Sequence, residues 1–102
     1  MSRLEQLQKL LAAEPQDVFV NFALAMELFK AGRHEEALAQ FGKVSELDPD
    51  YVPAYFQKGN SLMTLGRREE AKAVLRQGVE AARRTGNSHA ASEMTELLDA
   101  MG

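Results

Sequence analysis

Cysteine and tryptophan are both missing from the 102 residues. Without thiols there can be no disulfide, thiolate metal site or cysteine nucleophile. Histidine is scarce: His34 and His89 are the only two. Neither lies in an HExxH-like pattern, so both read as turn or surface residues and no metal or cofactor is expected. Glycine-rich phosphate loops and GxSxG elbows are also missing, which leaves no recognisable catalytic motif and predicts a non-enzyme. Prolines number three, and no Asn-Gly or Asp-Gly hairpin signal occurs, so strands are not expected. No apolar run approaches the ~20 residues of a membrane span. The opening SRLEQLQKLLAAEP is interrupted by Glu5, Gln6, Gln8 and Lys9 too early for a secretory signal. A basic excess is lacking too. The net charge of −3 and pI near 5.4 do not give the electrostatic footprint of a nucleic-acid binder. Arg67-Arg68 and Arg83-Arg84 are isolated pairs. These absences predict a soluble, cytoplasmic chain with no nucleic-acid or membrane partner, whose 45% hydrophobic content suffices for one small core.

What is present is a repeat. VFVNFALAMELFKAGRHEEALAQFGKVSELDPD, from Val18 to Asp50, is followed by VPAYFQKGNSLMTLGRREEAKAVLRQGVEAARR, from Val52 to Arg84. Val18/Val52, Phe22/Phe56, Leu28/Leu62, Gly32/Gly66, Arg33/Arg67, Glu36/Glu70 and Ala37/Ala71 all pair at a spacing of 34. A period of this length in helix-turn-helix units marks a stacked helical repeat. The turn glycines supply a backbone conformation that a Cβ resists. The acid pairs Glu35-Glu36 and Glu69-Glu70 recur with the repeat. That fits carboxylates at positive helix ends better than catalytic pairs, which need unlike environments.

Helix boundaries follow from caps and breakers. Ser2 with Glu5 forms a capping box for a first helix through about Ala13, with Leu4, Leu7, Leu10 and Leu11 on one face. Asp17 caps a helix to about Ala31. The next runs from about His34 to Leu47, halted by Asp48-Pro49-Asp50. A fourth spans about Val52 to Leu65, with Pro53 tolerated in its first turn. A fifth runs from about Arg68 to Arg84 and is longer than its counterpart because no proline closes it. Gly78 within it costs on the order of 1 kcal/mol of helix propensity and implies close approach of a neighbouring helix. Asn87 or Ser88 caps a last helix to Met101. Its apolar face comprises Ala90, Ala91, Met94, Leu97, Leu98 and Met101.

The chain resembles the tetratricopeptide repeat family. The first repeat carries Leu24-Ala25, Leu28, Gly32, Ala37, Phe41, Val44 and Pro49 at the family's positions. The second carries Tyr55, Gly59, Leu62, Gly66, Ala71 and Leu75, with small Gly78 at the closing alanine position. Asn21, Lys58 and Arg83 depart from the pattern, standing where an aromatic, a leucine and a proline belong. The resemblance implies an all-α fold: a right-handed superhelical stack of antiparallel helix pairs, about six helices in one domain. Residues 2–14 would form an N-terminal capping helix, 17–50 and 51–85 the repeats, and 87–101 a C-terminal capping helix. The implied function is a scaffold or adaptor that binds other proteins.

The first repeat's leading helix has two apolar stripes at about 100° per residue. Val20, Leu24, Leu28 and Ala31 make one; Phe19, Phe22, Met26 and Phe29 make the other. The resemblance assigns Leu24, Ala25 and Leu28 to packing. It assigns Phe19, Phe22, Met26, Phe29 and Lys30 to a concave groove where relatives bind peptides or helices. The equivalent positions of the second repeat are Pro53, Phe56, Asn60, Met63 and Thr64. A patch rich in Phe and Met suits a mainly apolar helix or peptide segment of another protein, with Asn60 available to set its register. The alternative is a structural homodimer joined through the same surface. Relatives that clamp a C-terminal carboxylate use Lys and Asn where this chain has Phe22 and Met26, and Asn where it has Gln57. Too few charge-assisted donors remain for such a clamp.

Overall fold

The computed structural model describes Met1 to Gly102 and contains six helices and no strand: α1 (Arg3–Ala13), α2 (Val18–Lys30), α3 (His34–Leu47), α4 (Val52–Thr64), α5 (Arg68–Arg84) and α6 (Ser88–Met101). The expected boundaries hold to within a cap residue. Three helix starts carry side-chain caps that satisfy an orphan amide. Ser2 Oγ accepts from Glu5 N at 3.1 Å, Asp17 Oδ1 from Val20 N at 3.0 Å, and Asn87 Oδ1 from Ala90 N at 3.1 Å. The α2–α3 and α4–α5 turns are closed alike. Gly32 and Gly66 take φ of 76° and 75°, and the following arginine N–H reaches back to Leu28 O or Leu62 O at 2.9 Å. That six-to-one bond needs a left-handed residue at the glycine, where a Cβ is strained.

Each helix packs on its neighbours in the chain, and α2 also touches α4. One layer contains α2, α4 and α6; the other contains α1, α3 and α5. The stack measures 42 × 29 × 18 Å. Its core has two parts. One lies around fully buried Phe41 and Val44 with Leu7, Leu24, Ala25, Leu28, Ala37 and Ala54. The other lies around Leu75 and Met94, and is closed by Met101 near the end of α6.

Gly78 has the close neighbours its helix cost implied. A Cβ there would sit 2.6 Å from Met94 Sδ and 2.7 Å from Tyr55 Cβ. The missing side chain therefore lets α5 lie against α4 and α6 at once.

The structure corrects one expectation about α1. Leu10 does not belong to its packed face: it is 52% exposed, whereas Leu7 is 5% exposed. The helix packs chiefly on α2, and the narrower row of Leu4, Leu7 and Leu11 is what is covered. In α5, with Arg83 in place of a proline, the helix runs to 17 residues against 14 in α3. Asn87 consequently caps α6 36 residues after the Tyr51 cap of α4, while Asp17 and Tyr51 are 34 apart. The third helix of this layer is thus shifted by two residues from the register of the first two.

Candidate interaction surface

The α2/α4/α6 layer carries every residue assigned to the groove, because Phe19, Phe22, Met26, Phe29 and Lys30 recur at helical spacing along α2. Phe19, in its first turn, is 75% exposed. Its ring meets the Tyr51 ring edge-on, with centroids 6.5 Å apart at 81°. Phe22 lies deeper and is half-buried, 5.0 Å from the Tyr51 ring and 5.8 Å from the Phe41 ring. Such tilted pairs add to the stability that area burial alone gives. Met26 and Phe29 are half-buried against the same core cluster. Phe29 meets the His34 ring edge-on at 5.0 Å. Lys30 is exposed, with Nζ 3.7 Å from a Glu27 carboxylate oxygen that also accepts from Arg3 Nε at 3.1 Å.

On α4, Phe56 and Met63 are half-buried against the second core cluster. Asn60 is half-buried and Thr64 exposed, the Thr64 hydroxyl donating to the Asn60 carbonyl at 3.0 Å. Of the nine assigned residues, only Phe19, Lys30 and Thr64 are fully open; the six between them each keep one side in the core and one side in solvent.

Three features of this surface escaped the sequence reading. Tyr51, at the cap of α4, joins Phe19, Phe22 and Phe41 into one aromatic group. Burial, and secondarily the Asp48 charge, raises its phenol above the ordinary range. Asn21, where the family carries an aromatic, is buried at 1% exposed. Its amide donates to Asp17 O at 2.8 Å and Pro15 O at 3.1 Å, and its oxygen accepts from Gln40 Nε2 at 2.6 Å. Finally, a cleft of about 200 Å³ opens between the first turns of α4 and α6, beside Phe56. Its two walls come from helices that only the fold brings together.

No three His, Asp or Glu side chains are grouped to hold a metal ion, and no helix is long and apolar enough to cross a membrane.

Fold and surface together define an all-α helical-repeat protein. The tetratricopeptide repeat profile matches residues 28–97, and a second profile of the same description matches residues 1–51. A tetratricopeptide repeat domain protein from Salinibacter ruber, solved in solution, is 35% identical, with a TM-score of 0.80 over 86% of this chain and 89% of that one. This chain therefore belongs to the tetratricopeptide repeat family. PcrH, solved in complex with the chaperone binding region of PopD, shares the fold at a TM-score of 0.90 and 17% identity, over 96% of this chain and 74% of that one. Two curated relatives match about half of the chain. The cytochrome c-type biogenesis protein CycH of Rhizobium meliloti is 47% identical over 46% of this chain and 12% of its own length. MJ0572 of Methanocaldococcus jannaschii is 41% identical over 53% of this chain and 63% of its own. The chain thus spans less than two thirds of either curated relative.

Proposed function

We propose that this chain is a non-catalytic binding module that holds a mainly apolar helix or peptide segment of another protein against α2 and α4. The observation that carries the reading is Phe19, 75% exposed at the head of a row whose other members are half-open. A ring left that far in water at the edge of a continuous apolar row suits a partner better than a core. The half-open Phe22, Met26, Phe29, Phe56 and Met63 offer a surface that is already rigid, because their inner sides are packed. Covering them costs little additional ordering, which favours affinity. Met side chains in the row adapt to the partner's shape. PcrH, which shares this fold, was solved with a segment of another protein bound.

Capture of partners from native lysate by the chain and by Met26→Lys tests this reading. The lysine places an unpaired charge in the apolar row while its stem can still cover the core. Loss of capture with unchanged circular dichroism supports the reading; equal recovery by both forms overturns it. Light scattering at low micromolar concentration tests the homodimer reading: a dimer that Phe29→Glu turns into a monomer would assign the row to self-association instead.

A further inference from the structure

The cleft between α4 and α6 deepens the binding-module reading, and its assignment as an anchor site rests on that reading. Val52 and Met94, both buried, form its floor; Pro53, Phe56 and Ala90 form its apolar walls. Its volume of about 200 Å³ exceeds the ~150 Å³ at which an apolar cavity accepts benzene, so it can take one leucine, methionine or phenylalanine side chain. Glu93 is the only charged residue lining it.

No cation lines the cleft beside Glu93. Helix α6 contains no lysine or arginine, and its Glu96 lines a separate hollow with Arg83. The single cation of α4, Lys58, lies on the other side of that helix, where it lines a separate hollow with Gly42, Ser45 and Gln77. Glu93 meets only the exposed His89, at 2.8 Å. The carboxylate therefore stands half-open beside an apolar slot with no lysine or arginine of its own chain to pair with. A bound segment that filled the slot with a neutral or acidic neighbour would desolvate Glu93 with only His89 beside it, which is costly. One that placed a cation there would gain a charge-assisted bond.

We propose that the segment held on this surface inserts an apolar side chain into the α4–α6 cleft and sets a lysine or arginine, within about four positions of that anchor, on Glu93. That spacing spans one turn if the segment is helical and two same-face positions if it is extended.

Selection of a random peptide library on the immobilised chain tests this. Retained peptides are expected to share an apolar residue followed or preceded closely by Lys or Arg. For a peptide so selected, Glu93→Lys is expected to weaken binding about tenfold, the scale of one close interfacial charge pair, and the loss should shrink at high salt. Ala90→Trp, which fills the slot, should abolish binding of the same peptide. Glu93 is half-exposed, so its reversal leaves the core intact. Peptides that bind Glu93→Lys and Ala90→Trp as well as the native chain, yet fail on Met26→Lys, would overturn this inference and leave the binding-module reading standing. A library from which the native chain retains nothing, or retained peptides indifferent to Met26→Lys, would overturn the binding-module reading and this inference with it.

Discussion

Asn21 and Tyr55 perform the same task in successive repeats with different chemistry. Asn21 Nδ2 donates to the carbonyl of Pro15 at 3.1 Å, and Tyr55 Oη to the carbonyl of Pro49 at 2.6 Å. Both residues and both prolines are 34 positions apart. Each bond ties the start of a helix of the α2/α4/α6 layer to the turn before it, giving a partner to the carbonyl of that turn's proline. Opposite Tyr55 stands Gly78, whose absent Cβ would fall 2.7 Å from Tyr55 Cβ; Asn21 instead meets Gln40 of α3, whose Nε2 donates to its oxygen at 2.6 Å.

Removing the polar tie should therefore be expensive. Asn21→Ala leaves Gln40 and the Pro15 carbonyl without a buried partner and should lower stability by about 1–3 kcal/mol. For a domain of this size that is a fall in Tm of about 4–8 °C per kcal/mol. Thermal melts of Asn21→Ala beside the native chain measure the loss, and an unchanged Tm would refute the tie.

Gly78→Ala sets two effects against each other. Helix propensity favours alanine by about 1 kcal/mol. The new Cβ, however, meets Tyr55 Cβ at 2.7 Å and Met94 Sδ at 2.6 Å. Tyr55 Cβ is fixed to the backbone of α4 and cannot move alone, so overpacking wins and urea melts should show net destabilisation. At Gly59 the three nearest atoms all belong to the Leu75 side chain beyond its Cβ, the closest at 2.8 Å, so the neighbour is not fixed to a backbone as Tyr55 Cβ is. Gly59→Ala should cost less than Gly78→Ala, and the reverse order would show that the Tyr55 contact yields more easily than Leu75.

Phe19 and Phe22 should separate binding from folding. Phe19→Ala removes an exposed ring and should leave stability within about 0.5 kcal/mol while weakening partner capture. Phe22→Ala removes a ring packed on Phe41 and Tyr51 and should lower both. Chemical denaturation beside a capture assay distinguishes them; a large stability loss from Phe19→Ala would show that its ring belongs to the fold.

Tyr51 should make the protein alkali-sensitive. Burial first, and the Asp48 carboxylate second, raises its phenol above the ordinary value of 10.0. The folded state thus holds this proton more tightly than the unfolded chain. The contribution is fully present below pH about 10 and is lost as pH rises through the folded value. Tyr51→Phe keeps the ring pairs and removes the titration, so its Tm should decline less steeply above pH about 10. Parallel declines in the two proteins would remove Tyr51 as the cause.

The helices were legible in the sequence because their causes are local. Ser2, Asp17 and Asn87 cap, Gly32 and Gly66 turn, and the apolar spacing selects one face, each within a few residues of its effect. The 34-residue period then carried the layer order, since equivalent residues must occupy equivalent places in a stack. The tertiary structure alone decided how far each groove residue is open. Burial depends on what lies across the interface, and the sequence offers no distance between Phe22 and Tyr51 or between Leu10 and the nearest helix. It alone decided that Asn21 is a buried tie, because that needs Pro15 and Gln40 to converge from different elements. It alone decided that a cleft lies between α4 and α6, because Val52, Pro53 and Phe56 of one helix meet Ala90, Glu93 and Met94 of the other only where the two pack.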